Sequence, residues 1–247
     1  MPRHDSRPID APRADDAFGE MVWDAFRDDL TERPRYRRDD GEVTEAHLDA
    51  YFTDPEDWSD RLQDLLARLD GSVLDVGCGP GKHARYLQAQ DRDVLAIDRS
   101  PGAIAVAREW GVDHAAVMDM RDAAVLDTFE NAIVLGKQIA VGDDPDDLRA
   151  TFAALADAVA SGGRLIADFD APERRGDGYL DDHTLVDGIA YRRFRVEYDD
   201  LVGPWVDALM IEYDTLEGII EETPWTVVDT LGRDAEGSDY AVVFERQ

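Results

Sequence analysis

Glycines and acids spaced to bind a nucleotide-like ligand are concentrated in one short segment of the sequence. Residues 73–82 read VLDVGCGPGK, and a further acid, Asp98, follows in LAIDR at 95–99. Because glycine has no Cβ, the backbone can turn sharply there and approach a ligand closely. A carboxylate at the end of the next strand can accept hydrogen bonds from a ribose diol. The pattern therefore predicts a ligand-binding turn with Asp98 as its ribose-binding acid.

These residues fall where short apolar strands alternate with helices. Strands are predicted at 72–76, 93–98, 113–118, 131–135 and 164–169, and helices near 82–90, 101–110, 120–126 and 146–160. Strands separated by helices imply right-handed crossovers and a parallel sheet. A half-buried strand at 189–198, a helix near 215–223 and a final antiparallel hairpin of strands at 225–231 and 239–245 are predicted next. The predicted fold class is α/β, with a Rossmann-like, seven-stranded, mainly parallel sheet, an antiparallel last strand and helices on both faces.

At these motifs the sequence resembles the class I S-adenosylmethionine-dependent methyltransferases. The resemblance lies in VLDVGCGPG at 73–81, AIDRS at 96–100 and MDM at 118–120, and it covers about residues 55–170 closely. It implies that S-adenosylmethionine is the cofactor and that its binding residues are Asp75, Gly77, Cys78, Gly79, Gly81, Asp98, Arg99, Asp119, Met120 and Leu135. By the same resemblance, the three glycines line the methionine part, Asp98 holds the ribose, Asp119 and Met120 flank the adenine, and Asp75 lies beneath the loop near the cofactor's amino group.

A nicotinamide dinucleotide is the competing cofactor for a glycine turn of this kind. It requires the spacing G-x-G-x-x-G, with the helix dipole facing a pyrophosphate. Here the glycines stand at 77, 79 and 81 and residue 82 is lysine, so the spacing favours S-adenosylmethionine. Cys78 is expected to pack within the loop rather than to act as a nucleophile.

The acceptor side of the site is expected where the strand at 131–135 ends, in LGKQ at 135–138. Methyltransferases that modify exocyclic nitrogens of bases or glutamine carry an Asn/Asp-Pro-Pro-aromatic tetrapeptide at that place, and this chain does not. The segment instead resembles the Leu-Gly-Asn-Ser of small-molecule methyltransferases, including the glycine N-methyltransferase-like group, with Lys137 and Gln138 replacing Asn-Ser. The expected function is in-line methyl transfer to a small molecule, with no catalytic residue assigned. The substrate-site candidates are Lys137, Gln138, Asp168 and Trp205.

The composition is strongly acidic and almost free of lysine. The 247 residues include 26 basic and 56 acidic ones, which gives a formal net charge of −30, and Lys82 and Lys137 are the only lysines. This composition resembles that of proteins from salt-loving archaea, and the acidity argues against a nucleic-acid partner. Two alternative functions remain open: a methyltransferase that acts on RNA or protein, and a non-catalytic S-adenosylmethionine-binding protein.

Cysteine content and hydropathy indicate where in the cell the protein is expected. One cysteine excludes an intramolecular disulfide, and no apolar run approaches the ~18 residues that cross a membrane. The first ten residues are charged and no apolar stretch follows them, so a cytoplasmic protein with no membrane partner is expected. The five histidines show no metal-ligand spacing, so no metal is expected, and the oligomeric state is not assigned.

Two parts of the chain are predicted. Residues 1–53 form an N-terminal arm and helical cap, and residues 54–247 form the methyltransferase domain with an insertion at about 171–212. Within the first part, residues 33–41 are interpreted as a charged linker. A helix is predicted to begin at Asp54-Pro55, because an acid followed by proline is typical of a helix start.

Overall fold

A computed structural model describes residues 15–172, 185–232 and 239–247. Its helices are α1 (Ala17–Phe26), α2 (Asp60–Ala67), α3 (Lys82–Gln88), α4 (Pro101–Glu109), α5 (Pro145–Ala158) and α6 (Tyr213–Ile220). Its strands are β1 (Arg35–Arg38), β2 (Val43–Glu45), β3 (Val73–Val76), β4 (Val94–Asp98), β5 (Ala115–Val117), β6 (Phe129–Val134), β7 (Val159–Asp170), β8 (Ile189–Tyr198), β9 (Leu201–Val202), β10 (Val206–Ile211), β11 (Trp225–Leu231) and β12 (Asp239–Arg246).

Seven strands form the large sheet, in the order β11-β12-β7-β6-β3-β4-β5. β3 pairs in parallel with β4 and β6, whereas β12 pairs antiparallel with both β7 and β11. The predicted Rossmann-like class, with its reversed last strand, is confirmed. The connection between the last two strands, at 233–238, lies outside the described residues.

Side chains that alternate along β3 show how both faces of this sheet are covered. Leu74 and Val76 are fully buried in a cluster that includes Phe152 of α5. Val73 points the other way, into a second cluster with Leu87 of α3. Because successive residues of a strand face opposite sides, a central strand that is buried throughout requires helices on both faces.

Two of the predicted helices differ from the structure. Residues 55–57 make only one 3-10 turn, and α2 begins at Asp60 because Ser59, not Asp54, supplies the capping bond: its Oγ accepts from the Leu62 amide at 3.2 Å. The helix predicted at 120–126 is a 3-10 helix over Met120–Val125.

A second, small sheet has the order β10-β8-β1-β2, with β9 added to β8. The strand predicted at 189–198 is confirmed as β8. The interpretation of residues 33–41 as a linker is wrong, since β1 spans Arg35–Arg38 and pairs antiparallel with β8. Tyr36 lies opposite Val196 there, and this distant partner rather than local composition selects the strand.

Helix α1 joins the small sheet to the large one. Asp16 caps α1 by accepting from the Gly19 amide at 2.9 Å, and the same carboxylate accepts from Ser100 Oγ and the Gly102 amide at 2.8 Å each. Gly102 is needed for this approach, because a Cβ there would lie 2.6 Å from Gly19 backbone atoms. The Tyr198 hydroxyl of β8 donates to Asp24 of α1 at 2.8 Å, so α1 holds the small sheet near the end of β4, where Asp98 lies.

The division of the chain at residues 53/54 stays a prediction. Strands β1 and β2 come from the first predicted part, and β8 to β10 come from the predicted insertion, yet they form one sheet. Residues 1–14 of the predicted arm and 173–184 of the predicted insertion lie outside the described residues.

Candidate functional site

The glycine turn folds over the end of the neighbouring strand β4. Gly77, Gly79 and Gly81 have φ values of +66°, +54° and +88°, a region that favours glycine. The amides of Gly77 and Cys78 both donate to the Ile97 carbonyl, at 2.8 and 3.0 Å. The space is also restricted, since a Cβ on Gly77 would lie 2.8 Å from Gln138 Cγ. The turn therefore presents bare backbone at the carboxyl edge of the large sheet.

Asp98 is the last residue of β4 and is buried. Its Oδ2 accepts from the Gly79 amide at 2.9 Å, and its Oδ1 accepts from the Ser100 amide at 2.8 Å. Burial raises the pKa of this carboxyl, and the two amides oppose the rise. Each carboxylate oxygen keeps a second lone pair, so Asp98 can accept further bonds from a ligand while it holds the turn.

Asp75 lies directly before the turn and is only 1% exposed. The Ala84 amide donates to its carboxyl, but Oδ2 has no hydrogen-bond partner within the described ranges. Burial raises the pKa of Asp75 to about 7, although the Ala84 amide lowers it; the nearby Asp98 adds to the rise and Lys82 opposes it. A buried carboxyl with one unoccupied oxygen is suited to a cationic ligand group.

The other expected cofactor residues differ in their surroundings. Cys78 is buried in the turn, where its Sγ donates to the Gly79 carbonyl at 3.4 Å, and burial raises the pKa of the thiol. Asp98 is in register with Val117 of β5, so Asp119 and the half-buried Met120 follow at the adjacent strand end. Leu135 is buried just after β6, whereas Arg99 and Asp119 are exposed. The Asp119 carboxylate accepts from the Arg121 amide at 2.9 Å.

Three of the four substrate-site candidates lie together beside the glycine turn. The Lys137 amide donates to Asp168 Oδ1 at 2.8 Å, and Lys137 Nζ lies 4.0 Å from Asp168 Oδ2. Gln138 packs against Gly77 and donates from Nε2 to the Gly136 carbonyl at 3.2 Å. Burial raises the pKa of Asp168 to about 6 despite the nearby lysine. Lys137 Nζ also donates to Asp239 Oδ2 at 2.8 Å, so its charge is already paired.

Trp205, the fourth candidate, lies elsewhere. The guanidinium of Arg195 lies 4.7 Å from its ring centroid and that of Arg193 lies 5.7 Å away. Side chains alternate along β8, so these arginines point to the face opposite Phe194. The structure does not bring Trp205 to Lys137 and Asp168.

Lys82 connects an N-terminal segment to the end of the glycine turn. Its Nζ donates to the Ala50 carbonyl at 2.7 Å and to Thr53 Oγ1 at 3.2 Å. These bonds hold Tyr51, whose ring lies 4.0 Å from the position of a Cβ on Gly79; the Phe18 ring lies 3.9 Å from it. Two aromatic rings therefore cover the turn.

Sequence reasoning missed a further group of residues in front of the turn. The hydroxyls of Tyr36 and Tyr51 are 2.7 Å apart, and Arg192 Nη1 lies 3.3 Å from Asp170 Oδ2. Phe194 lies between them, with its ring centroid 5.9 Å from that of Tyr36 and 4.7 Å from the Arg192 guanidinium. The alternation of β8, which the sequence does show, could have placed Arg192 on the same face as Phe194. No signal in the sequence pointed to the tyrosines.

Neither a metal centre nor a membrane span is present in residues 15–172, 185–232 and 239–247. No group of three or more His, Cys, Asp or Glu side chains there could hold a metal ion. No helix in the same ranges is both long enough and apolar enough to cross a bilayer.

Comparisons with known proteins find a matching family model and a similar fold. Residues 73–163 match the family described as "Methyltransferase domain". The fold is similar to that of a SAM-dependent methyltransferase from Bacteroides fragilis solved in complex with S-adenosyl-L-homocysteine. The TM-score is 0.78 at 22% identity, and the match covers 96% of this chain and 97% of that one.

Two curated relatives match shorter segments. A trans-aconitate 2-methyltransferase of Mycolicibacterium gilvum is 34% identical over 118 residues, which are 45% of this chain and 46% of the relative. A ubiquinone biosynthesis O-methyltransferase of Xanthomonas oryzae pv. oryzae is 39% identical over 70 residues, 27% of this chain and 29% of the relative. The chain thus matches less than half of the length of these relatives.

Proposed function

We propose that this chain, with its methyltransferase domain at residues 73–163, transfers a methyl group from S-adenosylmethionine to a small-molecule acceptor. The observation that carries the proposal is the glycine turn joined to Asp98 through the Gly79 amide. The named relatives support a small-molecule acceptor, because one is a trans-aconitate and one a ubiquinone-biosynthesis methyltransferase. The formal charge of −30 argues against RNA as the acceptor.

The residues of the turn fit this cofactor chemically. Asp98 retains lone pairs for the ribose hydroxyls, and the buried Oδ2 of Asp75, which has no hydrogen-bond partner in the described residues, suits the amino group of the methionine part. The positive φ values of the glycines leave backbone exposed to the ligand without a Cβ in the way. Arg99 and Leu135 stay proposed cofactor contacts, and Asp119 and Met120 stay proposed contacts of the adenine.

When bound, S-adenosylmethionine supplies an electrophilic methyl group on a sulfonium. The chain's own task is to hold an acceptor atom in line with that group and to exclude water, and such ordering lowers a barrier by about 7–11 kcal/mol. The rings of Phe18 and Tyr51 lie close to Gly79 of the turn, and we propose that they help to exclude water from the bound cofactor. Asp168, with its pKa raised to about 6, is our candidate to orient the acceptor or to take up its proton.

The experiment that tests this function combines cofactor binding with product detection. Purified protein is titrated with S-adenosylhomocysteine by calorimetry and then incubated with methyl-labelled cofactor and fractionated cell extract. Label recovered in the small-molecule fraction by mass spectrometry is the expected result. Label in RNA or protein would support the first alternative, and binding without transfer would support a non-catalytic protein. A chain that binds neither S-adenosylmethionine nor S-adenosylhomocysteine would refute the proposal.

We further propose that the protein is adapted to molar salt. With a formal charge of −30, self-repulsion should destabilise the folded state when salt no longer screens it. We expect the melting temperature to fall by at least about 10 °C between 2 M and 0.1 M KCl, since a few kcal/mol shifts Tm by that order for a chain of this size.

Scanning calorimetry at pH 7 measures this shift, and the same salt series at pH 4 is the control. Near that pH many carboxylates are protonated, so the salt effect should shrink. A melting temperature that does not change between the two salt concentrations would contradict the adaptation.

The cytoplasmic location expected from the sequence stays a prediction.

A further inference from the structure

A wall of aromatic and basic side chains stands between the glycine turn and the end of β7. We call Tyr36, Tyr51, Arg192 and Phe194 the acceptor wall. We propose that the acceptor wall recognises a carboxylate group of the acceptor and that Arg192 forms the ion pair with it. This inference rests on the proposed function, and it adds a substrate class, small carboxylic acids, to it.

Arg192 has donor capacity that the protein does not use. Nη1 contacts Asp170 Oδ2 at 3.3 Å, while Nε is buried without a hydrogen-bond partner in the described part of the chain. The guanidinium carbon lies over the Phe194 ring, 4.7 Å from its centroid, within the range of a cation–π contact. A planar guanidinium has a second edge that can bind a carboxylate through two parallel hydrogen bonds. The side chain is 24% exposed, so a ligand can reach it.

The tyrosine pair provides a second donor on the same wall. The two hydroxyl oxygens are 2.7 Å apart, so one hydrogen lies between them and the hydrogen of the other hydroxyl is free to bind a third atom. Tyr36 and Arg192 contact the same ring, that of Phe194. A carboxylate in front of Phe194 could therefore receive donors from both sides.

The wall is also placed where an acceptor must lie. Tyr51 covers Gly79 in the cofactor turn, while Asp170, the partner of Arg192, is the last residue of β7. β6, which ends just before Lys137, lies between β3 and β7 in the sheet, Asp168 lies on β7 two residues before Asp170, and the charge of Asp170 acts on both Lys137 and Asp168. An acid held by Arg192 would thus have its remaining atoms directed toward the proposed methyl-transfer position.

Arg193 provides a matched control on the same strand. It lies one residue from Arg192 but on the opposite face, where its Nε lies 3.4 Å from Asp207 Oδ1 and its guanidinium lies over Trp205. Loss of its charge should affect the strand and the overall charge as loss of Arg192 does, without touching the acceptor wall. The two variants Arg192→Gln and Arg193→Gln therefore separate recognition from general effects.

The experiment measures ligand binding by NMR to protein saturated with S-adenosylhomocysteine. The probes are trans-aconitate, 4-hydroxybenzoate and hippurate, each compared with its primary amide. We expect at least one acid to bind at least tenfold more tightly than its amide. Arg192→Gln should weaken binding of that acid about ten- to a hundredfold, which is the range expected for loss of a hydrogen bond to a charged group. Its affinity for S-adenosylhomocysteine should stay within about twofold of the wild-type value. Arg193→Gln should change neither.

Several outcomes would overturn the proposal while leaving the proposed function intact. They are binding of no acid at millimolar concentration, equal binding of acid and amide, or unchanged acid binding in Arg192→Gln. The proposal would also be overturned if Arg192→Gln bound S-adenosylmethionine more weakly than the wild type does but bound its decarboxylated analogue equally well. That result would assign Arg192 to the carboxylate of the cofactor. If Arg192→Gln does not fold, Arg192→Lys is used, with an expected loss of at least fivefold for the acid. Failure of the wild type to bind S-adenosylhomocysteine would instead reject the proposed function itself.

Discussion

Replacing Asp98 with alanine should raise the Kd for S-adenosylhomocysteine at least about a hundredfold. The carboxylate is expected to accept hydrogen bonds from the ribose, each of which contributes about 1.5–3 kcal/mol to a charged acceptor. It also holds the Gly79 and Ser100 amides, so its loss leaves two backbone donors without their partner and loosens the glycine turn. Both effects act in the same direction.

Calorimetry in high salt measures the change, and two variants control it. Asp98→Asn keeps one acceptor oxygen and the shape of the side chain, so its loss of affinity should be intermediate. Asp122→Ala removes an exposed acid of the 3-10 helix after β5 and should leave the affinity unchanged. If Asp98→Ala bound the cofactor product as tightly as the wild type, the ribose contact would have to be assigned to another residue.

Replacing Asp75 with asparagine should stabilise the free protein and weaken cofactor binding. Burial raises the pKa of Asp75 from its ordinary 3.8 to about 7, so the folded state favours the protonated form. The stability this provides is fully present below pH 3.8 and is lost as pH rises through about 7. At about 1.4 kcal/mol per pKa unit, the ionised side chain costs about 4 kcal/mol of folding free energy at pH 8. Asparagine removes this cost and can still accept from the Ala84 amide.

Denaturant unfolding between pH 5 and pH 8, with and without S-adenosylhomocysteine, measures both effects. We expect the free-energy gain of Asp75→Asn to be about 2 kcal/mol at pH 5 and about 4 kcal/mol at pH 8, while the Kd rises at both. The wild-type affinity should also increase as pH rises through about 7, because the ionised carboxylate is the form that attracts an ammonium group. A gain that did not depend on pH would show that Asp75 is not the titrating group. Asp122→Asn, at an exposed position, serves as the control.

The cofactor side of the site could be predicted because its signals are local. The glycine turn follows β3 directly, and Asp98 is the last residue of β4. The positions of these residues at the strand ends can therefore be recognised from short stretches of sequence. The parallel order of the sheet follows from the alternation of strands and helices. The same locality explains why β8 was correctly predicted from its alternating side chains.

The acceptor side depends on contacts that the sequence does not display. The segment containing β1 is rich in arginine and has little apolar patterning, and its pairing with β8 on one side and β2 on the other makes it a strand. Tyr51 is placed by a bond from Lys82 to a backbone carbonyl, which leaves no residue pattern. Lys137 and Asp168 were each expected on the acceptor side, but the sequence does not show that they contact each other, and the bond from Lys137 to Asp239 depends on the pairing of β12 with β7. The start of α2 likewise depends on a contact: the Ser59 side chain, and not that of Asp54, accepts from a backbone amide of the helix.

The strands of the small sheet come from two distant parts of the chain, and this has a consequence for the order of folding. Tyr36 of β1 pairs with Val196 of β8, so closing this contact requires the chain entropy of a very long loop. The contact becomes favourable only after the large sheet and its helices have brought the two segments close together. Pairings between residues distant in sequence form slowly unless other contacts position them first. We therefore expect the core to form first and the sheet that bears Arg192 to assemble on it late, as a separate cooperative unit. Mutations of Arg192 or Phe194 should then destabilise mainly the late-forming sheet and leave the folding of the core that bears the glycine turn unchanged.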